Sequence, residues 1–126
     1  MDKVIHFEIP AGDLDRAKEF YSSTFGWGID DIPEVDYTIV RTVEVDEQQM
    51  PKEPGAINGG MMQRTPKTPV SPVLTIGVAS VEDALKRVED AGGIVLQPRT
   101  EVPGMGAFGY FTDTEGNTLG LWETAG

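Results

Sequence analysis

Two short stretches, Asp13-Leu14-Asp15-Arg16-Ala17 and Ser80-Val81-Glu82-Asp83-Ala84, constrain this chain more than anything else in it. Each reads as the start of a helix, with an oxygen-bearing cap that accepts from the first free backbone N–H groups and acidic residues beside the positive helix end. Each is preceded by a strand pattern and followed by more strands. Strand, capped helix, strands, and then the same again make an internal repeat of roughly 60 residues in a chain of 126. One helix per half is too little to cover both faces of a sheet. The expected fold class is therefore α+β: two βαβββ modules whose curved mixed sheets curl together and leave a cup between them.

The periodicity fills in the halves. Residues 4–9 alternate, with Ile5, Phe7 and Ile9 on the apolar face and Val4, His6 and Glu8 on the other. Behind Asp13 a helix is expected over 14–24, burying Leu14, Ala17 and Tyr21 with Phe20 beside them, and Phe25-Gly26-Trp27-Gly28 opens a loop. Residues 37–43 are rich in β-branched side chains and read as a strand, 46–55 as a polar loop, and 56–63 as a shorter strand. Its paired glycines, Gly59 and Gly60, mark a close backbone approach or a bulge. A linker with three prolines spans 64–72, and the strand at 73–78 carries Leu74, Ile76 and Val78 on its apolar face. Val81, Ala84, Leu85, Val88 and Ala91 then recur at helical spacing, the best helix pattern in the chain, closed by Gly92-Gly93. A short strand at 94–96, a Pro/Gly loop at 97–105, and strands at 107–112 and 118–123 around a hairpin turn at 113–117 complete the repeat. The reading is a single domain over 1–126 with half-modules at about 1–64 and 70–126.

Composition excludes several chemistries. There is no cysteine, so disulfides, iron–sulfur clusters and a thiol nucleophile are out, and His6 is the sole histidine. The net charge of −11 repels phosphate backbones and anionic lipid, which argues against nucleic acid or a membrane surface as partner. It also suits a high-salt habitat, although ordinary cytoplasmic proteins reach it as well. No apolar run approaches the ~18 residues of a membrane span. The N-terminus enters a strand pattern directly with no signal peptide, so a cytoplasmic location is expected.

The run His6-Phe7-Glu8-Ile9-Pro10, the helix start at Asp13 followed by Lys18-Glu19-Phe20-Tyr21, and Phe25-Gly26-Trp27 together resemble the opening of glyoxalase-like proteins. Ile57-Asn58-Gly59-Gly60-Met61-Met62, Val81-Glu82-Asp83-Ala84 and the ending from Tyr110 to Glu123 continue the match in order. The chain thus resembles the vicinal oxygen chelate superfamily of glyoxalases, bleomycin-resistance proteins and ring-cleaving dioxygenases. The resemblance implies paired βαβββ modules around a U-shaped pocket. Metal-dependent members hold one divalent ion there through side chains on the first and last strands of each module. Carried over, His6 falls on a ligand position, Val73 on its counterpart seven residues before Ser80, Gly120 on the last-strand position of the second half, and Gly59 or Gly60 on that of the first. One imidazole does not hold a divalent ion. No cofactor is therefore expected, and a divalent metal only through an atypical site.

His6 and Glu8 share a strand face about 7 Å apart. They read either as a pocket acid/base pair or as a polar sheet face that water reaches. Asn58, Met62, Thr75, Phe108, Tyr110 and Trp122 occupy faces that suit an aromatic ligand wall with a few polar groups, or equally an ordinary second core. Gly104-Met105-Gly106 is no phosphate loop, since no helix follows it, and the oxygen-rich 113–117 segment lacks the spacing of a calcium loop. The expectation is a glyoxalase-fold protein that binds a small organic molecule in its pocket with the usual metal site largely lost. The alternative is a lyase, isomerase or dioxygenase-type enzyme using an atypical metal site or His6 and Glu8 as acid and base. A homodimer is expected from the resemblance and from the apolar surface around Phe25, Trp27 and Met50.

Overall fold

A computed structural model of the chain describes residues 1–35 and 37–126. They form two compact units, His6–Pro72 and a second that joins Val73–Gly126 to Met1–Ile5. We call these the N-terminal and C-terminal modules. Each contains strand, helix and three further strands in that order.

The N-terminal module is built from β1 (Lys3–Ala11, of which residues 3–5 group with the C-terminal module), α1 (Leu14–Phe25), β2 (Gly28–Ile32), a 3-10 turn at Pro33–Val35, β3 (Tyr37–Arg41) and β4 (Gly59–Gln63). Its strands lie in the order β2-β3-β4-β1, with β1 parallel to β4 and the other neighbours antiparallel. The Asp13 carboxylate accepts from the Arg16 N–H at 3.0 Å, a cap worth about 1 kcal/mol. Gly26 ends the helix in the left-handed region at φ 73°, where a side chain would be strained. The core holds Ala11, Val40 and Met61, surrounded by Phe7, Ile9, Leu14, Ala17, Tyr21, Trp27 and Ile29.

Two expectations for this half need correction. Phe20 is 53% exposed and stands outside the buried stripe. Strand β2 lies where a loop was expected, because Gly28, Asp30 and Asp31 are poor strand formers. Tertiary contacts override that preference. Ile29 packs on the core, Asp31 pairs with Lys18 at 2.7 Å and accepts from Thr38 at 2.8 Å, and Asp30 pairs with Arg41.

The C-terminal module repeats the pattern with β5 (Val73–Gly77), α2 (Val81–Asp90), β6 (Ile94–Val102), β7 (Gly106–Thr112) and β8 (Thr118–Thr124). The order is β5-β8-β7-β6, again with the first strand parallel to the last. Ser80 caps α2 by accepting from the Asp83 N–H at 3.1 Å. Val81, Ala84 and Leu85 bury against Phe111 and Leu121, with Ile76, Val78, Val88, Val95 and Leu119 around them. Fully burying a Val, Leu or Phe side chain, such as Val81, Leu85 or Phe111, stabilises by about 1.5–3 kcal/mol.

Here β6 runs through most of the expected 97–105 loop. Register shifts between Val95 and Gln97 and between Gln97 and Thr100 absorb Pro98, which cannot donate to a regular ladder. Leu74 is 52% exposed instead of buried, and Ala91 is the exposed helix cap. The 113–117 hairpin turn is confirmed. Asp113 accepts from the Glu115 and Asn117 N–H groups and from the Asn117 amide, which accounts for the oxygen-rich sequence.

Candidate hydrogen-bonded site

Strand parity gives each sheet one face toward its helix and one face away. In the N-terminal module Phe7, Ile9, Ala11, Val40 and Met61 take the helix side. His6, Glu8, Tyr37, Gly60 and Met62 fall on the other. The parallel ladder sets Glu8 opposite Gly60. A Cβ added at Gly60 would collide with the Tyr37 hydroxyl and ring, so the absence of a side chain there is what admits the tyrosine. Gly59 has a different reason to be glycine: a Cβ there would meet the backbone oxygen and ring of Phe7.

The admitted hydroxyl joins the two residues singled out in the sequence. Tyr37 donates to Glu8 Oε2 at 3.0 Å, and its oxygen lies 3.0 Å from His6 Nε2. The His6 and Tyr37 rings run nearly parallel, 21° apart with centroids at 6.4 Å. Glu8 is buried at 9% exposure, and His6 is half-buried. Burial holds the His6 pKa below its ordinary value, a shift only partly opposed by the nearby Glu8 carboxylate. The group thus presents a neutral imidazole at neutral pH, tied through a phenol to a carboxyl group. Such a chain can hold and relay a proton.

Sequence reasoning passed over Tyr37. Its signal is indirect: a strand glycine leaves room for a side chain from the adjacent strand. Of the other candidates in this module, Met62 is half-buried on the same face as His6. Asn58 lies outside β4 and braces a loop. Its Oδ1 accepts from the Thr42 and Val43 N–H groups at 2.7 and 3.1 Å, and its amide donates to the Val43 carbonyl at 3.2 Å.

In the C-terminal module Thr75, Phe108, Tyr110, Gly120 and Trp122 share the face away from α2. Gly109, Phe111 and Leu121 face the helix. Phe108 and Tyr110 meet edge to face at 5.7 Å, and the Trp122 indole N–H donates to Thr124 Oγ1 at 3.2 Å. The ladder sets Thr75 opposite Gly120, the counterpart of Glu8 opposite Gly60. This shared register makes Gly60, and not Gly59, the counterpart of Gly120. A Cβ at Gly120 would come within 3.1 Å of Thr75 Oγ1. That hydroxyl is buried at 6% exposure and makes no hydrogen bond among the described residues.

The donor set does not fit the divalent ion of metal-dependent glyoxalase-like proteins. The expected positions hold His6 and Gly60 in one module and Val73 and Gly120 in the other, and a Tyr37 hydroxyl fills the space at Gly60. Among the described residues no three His, Asp or Glu side chains gather closely enough to ligate a metal. No catalytic step is therefore derived through an ion.

Comparison with known proteins agrees with this architecture. The chain is 32% identical over 123 residues to a glyoxylase-like domain-containing protein of Didymella fabae, covering 94% of this chain and 91% of that one. It is 29% identical to CFP32 of Mycobacterium tuberculosis, provisionally named a glyoxylase, over 92% of this chain and 43% of CFP32, so it spans less than half of that relative's length. Methylmalonyl-CoA epimerase of Mycobacterium tuberculosis has a similar fold, with a TM-score of 0.63 at 16% identity over 97% of this chain and 87% of the epimerase. The family profile matches residues 3–121. With the doubled βαβββ order and the shared ladder register, this shows that the chain belongs to the Glyoxalase/Bleomycin resistance protein/Dioxygenase superfamily.

Proposed function

We propose that this chain binds a small organic molecule and has given up the superfamily's usual divalent-metal site. The observation that carries the reading is the Tyr37 hydroxyl, which occupies the space of a Gly60 side chain and ties up His6 and Glu8. The face of Phe108, Tyr110 and Trp122 supports an aromatic or flat apolar ligand. Elemental mass spectrometry on protein purified without chelator tests the metal half. No stoichiometric Zn, Ni, Fe or Mn is expected, and one ion per chain lost on His6→Ala overturns the reading. Tryptophan fluorescence during a screen of small aromatic compounds tests the ligand half, with quenching expected in the wild type and abolished in Trp122→Phe.

A second reading, a metal-independent lyase or isomerase, is favoured by the chain of hydrogen bonds from Glu8 through Tyr37 to His6. Turnover of a bound ligand that His6→Gln abolishes without weakening binding selects it. In either reading we propose a cytoplasmic homodimer. The exposed Phe20, Phe25 and Met50 support the pairing.

A further inference from the structure

We infer that Tyr37 is a positioning residue that fixes which nitrogen of His6 carries the proton: Nε2 holds it, and Nδ1 is left as the acceptor. A phenol has one proton to donate and an oxygen that also accepts. Tyr37 directs that proton to Glu8 Oε2 at 3.0 Å. The 3.0 Å contact between its oxygen and His6 Nε2 therefore requires a hydrogen on the nitrogen. A neutral imidazole carries one N–H, so Nδ1 keeps a bare lone pair. The Tyr37 ring is held over Gly60, where no side chain competes for the space, and Glu8 is fixed on the same strand two residues from His6. Orientation thus passes from the carboxylate through the phenol to the ring.

The functional consequence is a polarity. A ligand group that reached Nδ1 would meet a proton acceptor, suited to an O–H, an N–H or an acidic C–H, and not a donor to a carbonyl. The inference concerns the free protein and holds whether the ligand is only bound or also turned over, so it stands or falls separately from the function proposed above.

Because the chain has one histidine, its two ring nitrogens give a single pair of resonances in 15N-labelled protein. At pH 8 the wild type is expected to show a pyrrole-like Nε2 and a pyridine-like Nδ1, with the Nε2–H form favoured about fivefold to tenfold. Glu8→Met keeps the length but removes the acceptor, which frees the phenolic proton for Nε2. The dominant form is then expected to reverse to Nδ1–H. In a Tyr37→Phe background the same Glu8→Met change is expected to move the tautomer ratio much less, because only the direct charge effect of the carboxylate on the ring is then left to lose. A dominant Nδ1–H form in the wild type overturns the inference. So does a Glu8→Met variant whose ratio matches the wild type, or an equal response to Glu8→Met with and without the Tyr37 hydroxyl.

Discussion

The Tyr37 hydroxyl and a side chain at Gly60 exclude each other, and this has measurable consequences. Gly60→Ala places a Cβ inside the tyrosine, which must swing away and abandon both Glu8 and His6. Overpacking of this kind costs about 1–3 kcal/mol. Urea denaturation should show that loss for Gly60→Ala, and in a Tyr37→Ala background most of it should vanish, since the collision is then gone. Equal loss in both backgrounds would mean that the glycine is needed for its backbone alone. Thr75 offers the opposite case. Its buried hydroxyl makes no hydrogen bond among the described residues, so Thr75→Val is expected to raise stability by roughly 1 kcal/mol. A drop in urea midpoint instead would show that the hydroxyl has a partner in solution. His6 and Glu8 were legible as a pair because parity on one strand is local information. Tyr37 was not, because its place depends on pairing between β3 and β4 across the segment 42–58, which no local pattern encodes.

At the scale of elements, both helices were legible from their caps and apolar spacing, while β2 and the long β6 were not. Strands take their stability from neighbours, so Asp30-Asp31 in β2 and Pro98 in β6 look like loop residues until Lys18, Arg41 and the ladder to β7 are in place. Helix α2 also carries a connection invisible in sequence. Glu123, at the end of β8, accepts from the Val81 N–H at 2.8 Å and forms a two-pronged pair with Arg99 on β6, at 2.9 and 3.2 Å. One carboxylate thus ties the first turn of a helix to two strands. The Arg99 guanidinium, followed by the Val81 N–H, holds its pKa below the ordinary 4.5. A carboxyl group whose folded pKa is depressed contributes stability that is fully present above the unfolded value and is lost as pH falls through the folded one. Glu123→Gln should therefore melt below the wild type at pH 7. The gap should narrow as pH falls from about 4.5 and close once the wild-type carboxylate is protonated in the folded state. A gap that persists unchanged at pH 3 would mean that the carboxylate's charge contributes nothing.

At the scale of the whole molecule, the expected partner is a second copy of the chain. Phe25 is 61% exposed, Phe20 53% and Met50 58%, all in the N-terminal module. Phe20 and Phe25 lean on Tyr21, with ring centroids 5.1 and 6.4 Å away, and Tyr21 stacks on Trp27 at 4.9 Å with the planes 5° apart. The aromatic cluster around the end of α1 is therefore anchored from below and open above. Solvent-facing aromatics of this kind mark interfaces, and a symmetric pair of identical patches is the commonest way to cover them. The charge of −11 on each chain opposes that pairing. Salt shortens the reach of the repulsion from about 10 Å at 0.1 M to about 3 Å at 1 M, while apolar contact is not screened. Association should consequently strengthen with salt, the reverse of what an interface built on ion pairs would show. Sedimentation at tens of micromolar protein, at low and at molar salt, is expected to find a dimer that tightens in the second condition. The double variant Phe20→Ser with Phe25→Ser is expected to remain monomeric in both, with an unchanged melting temperature showing that the fold is intact. A wild type that stays monomeric at molar salt would leave the aromatic patch without a second copy to cover it.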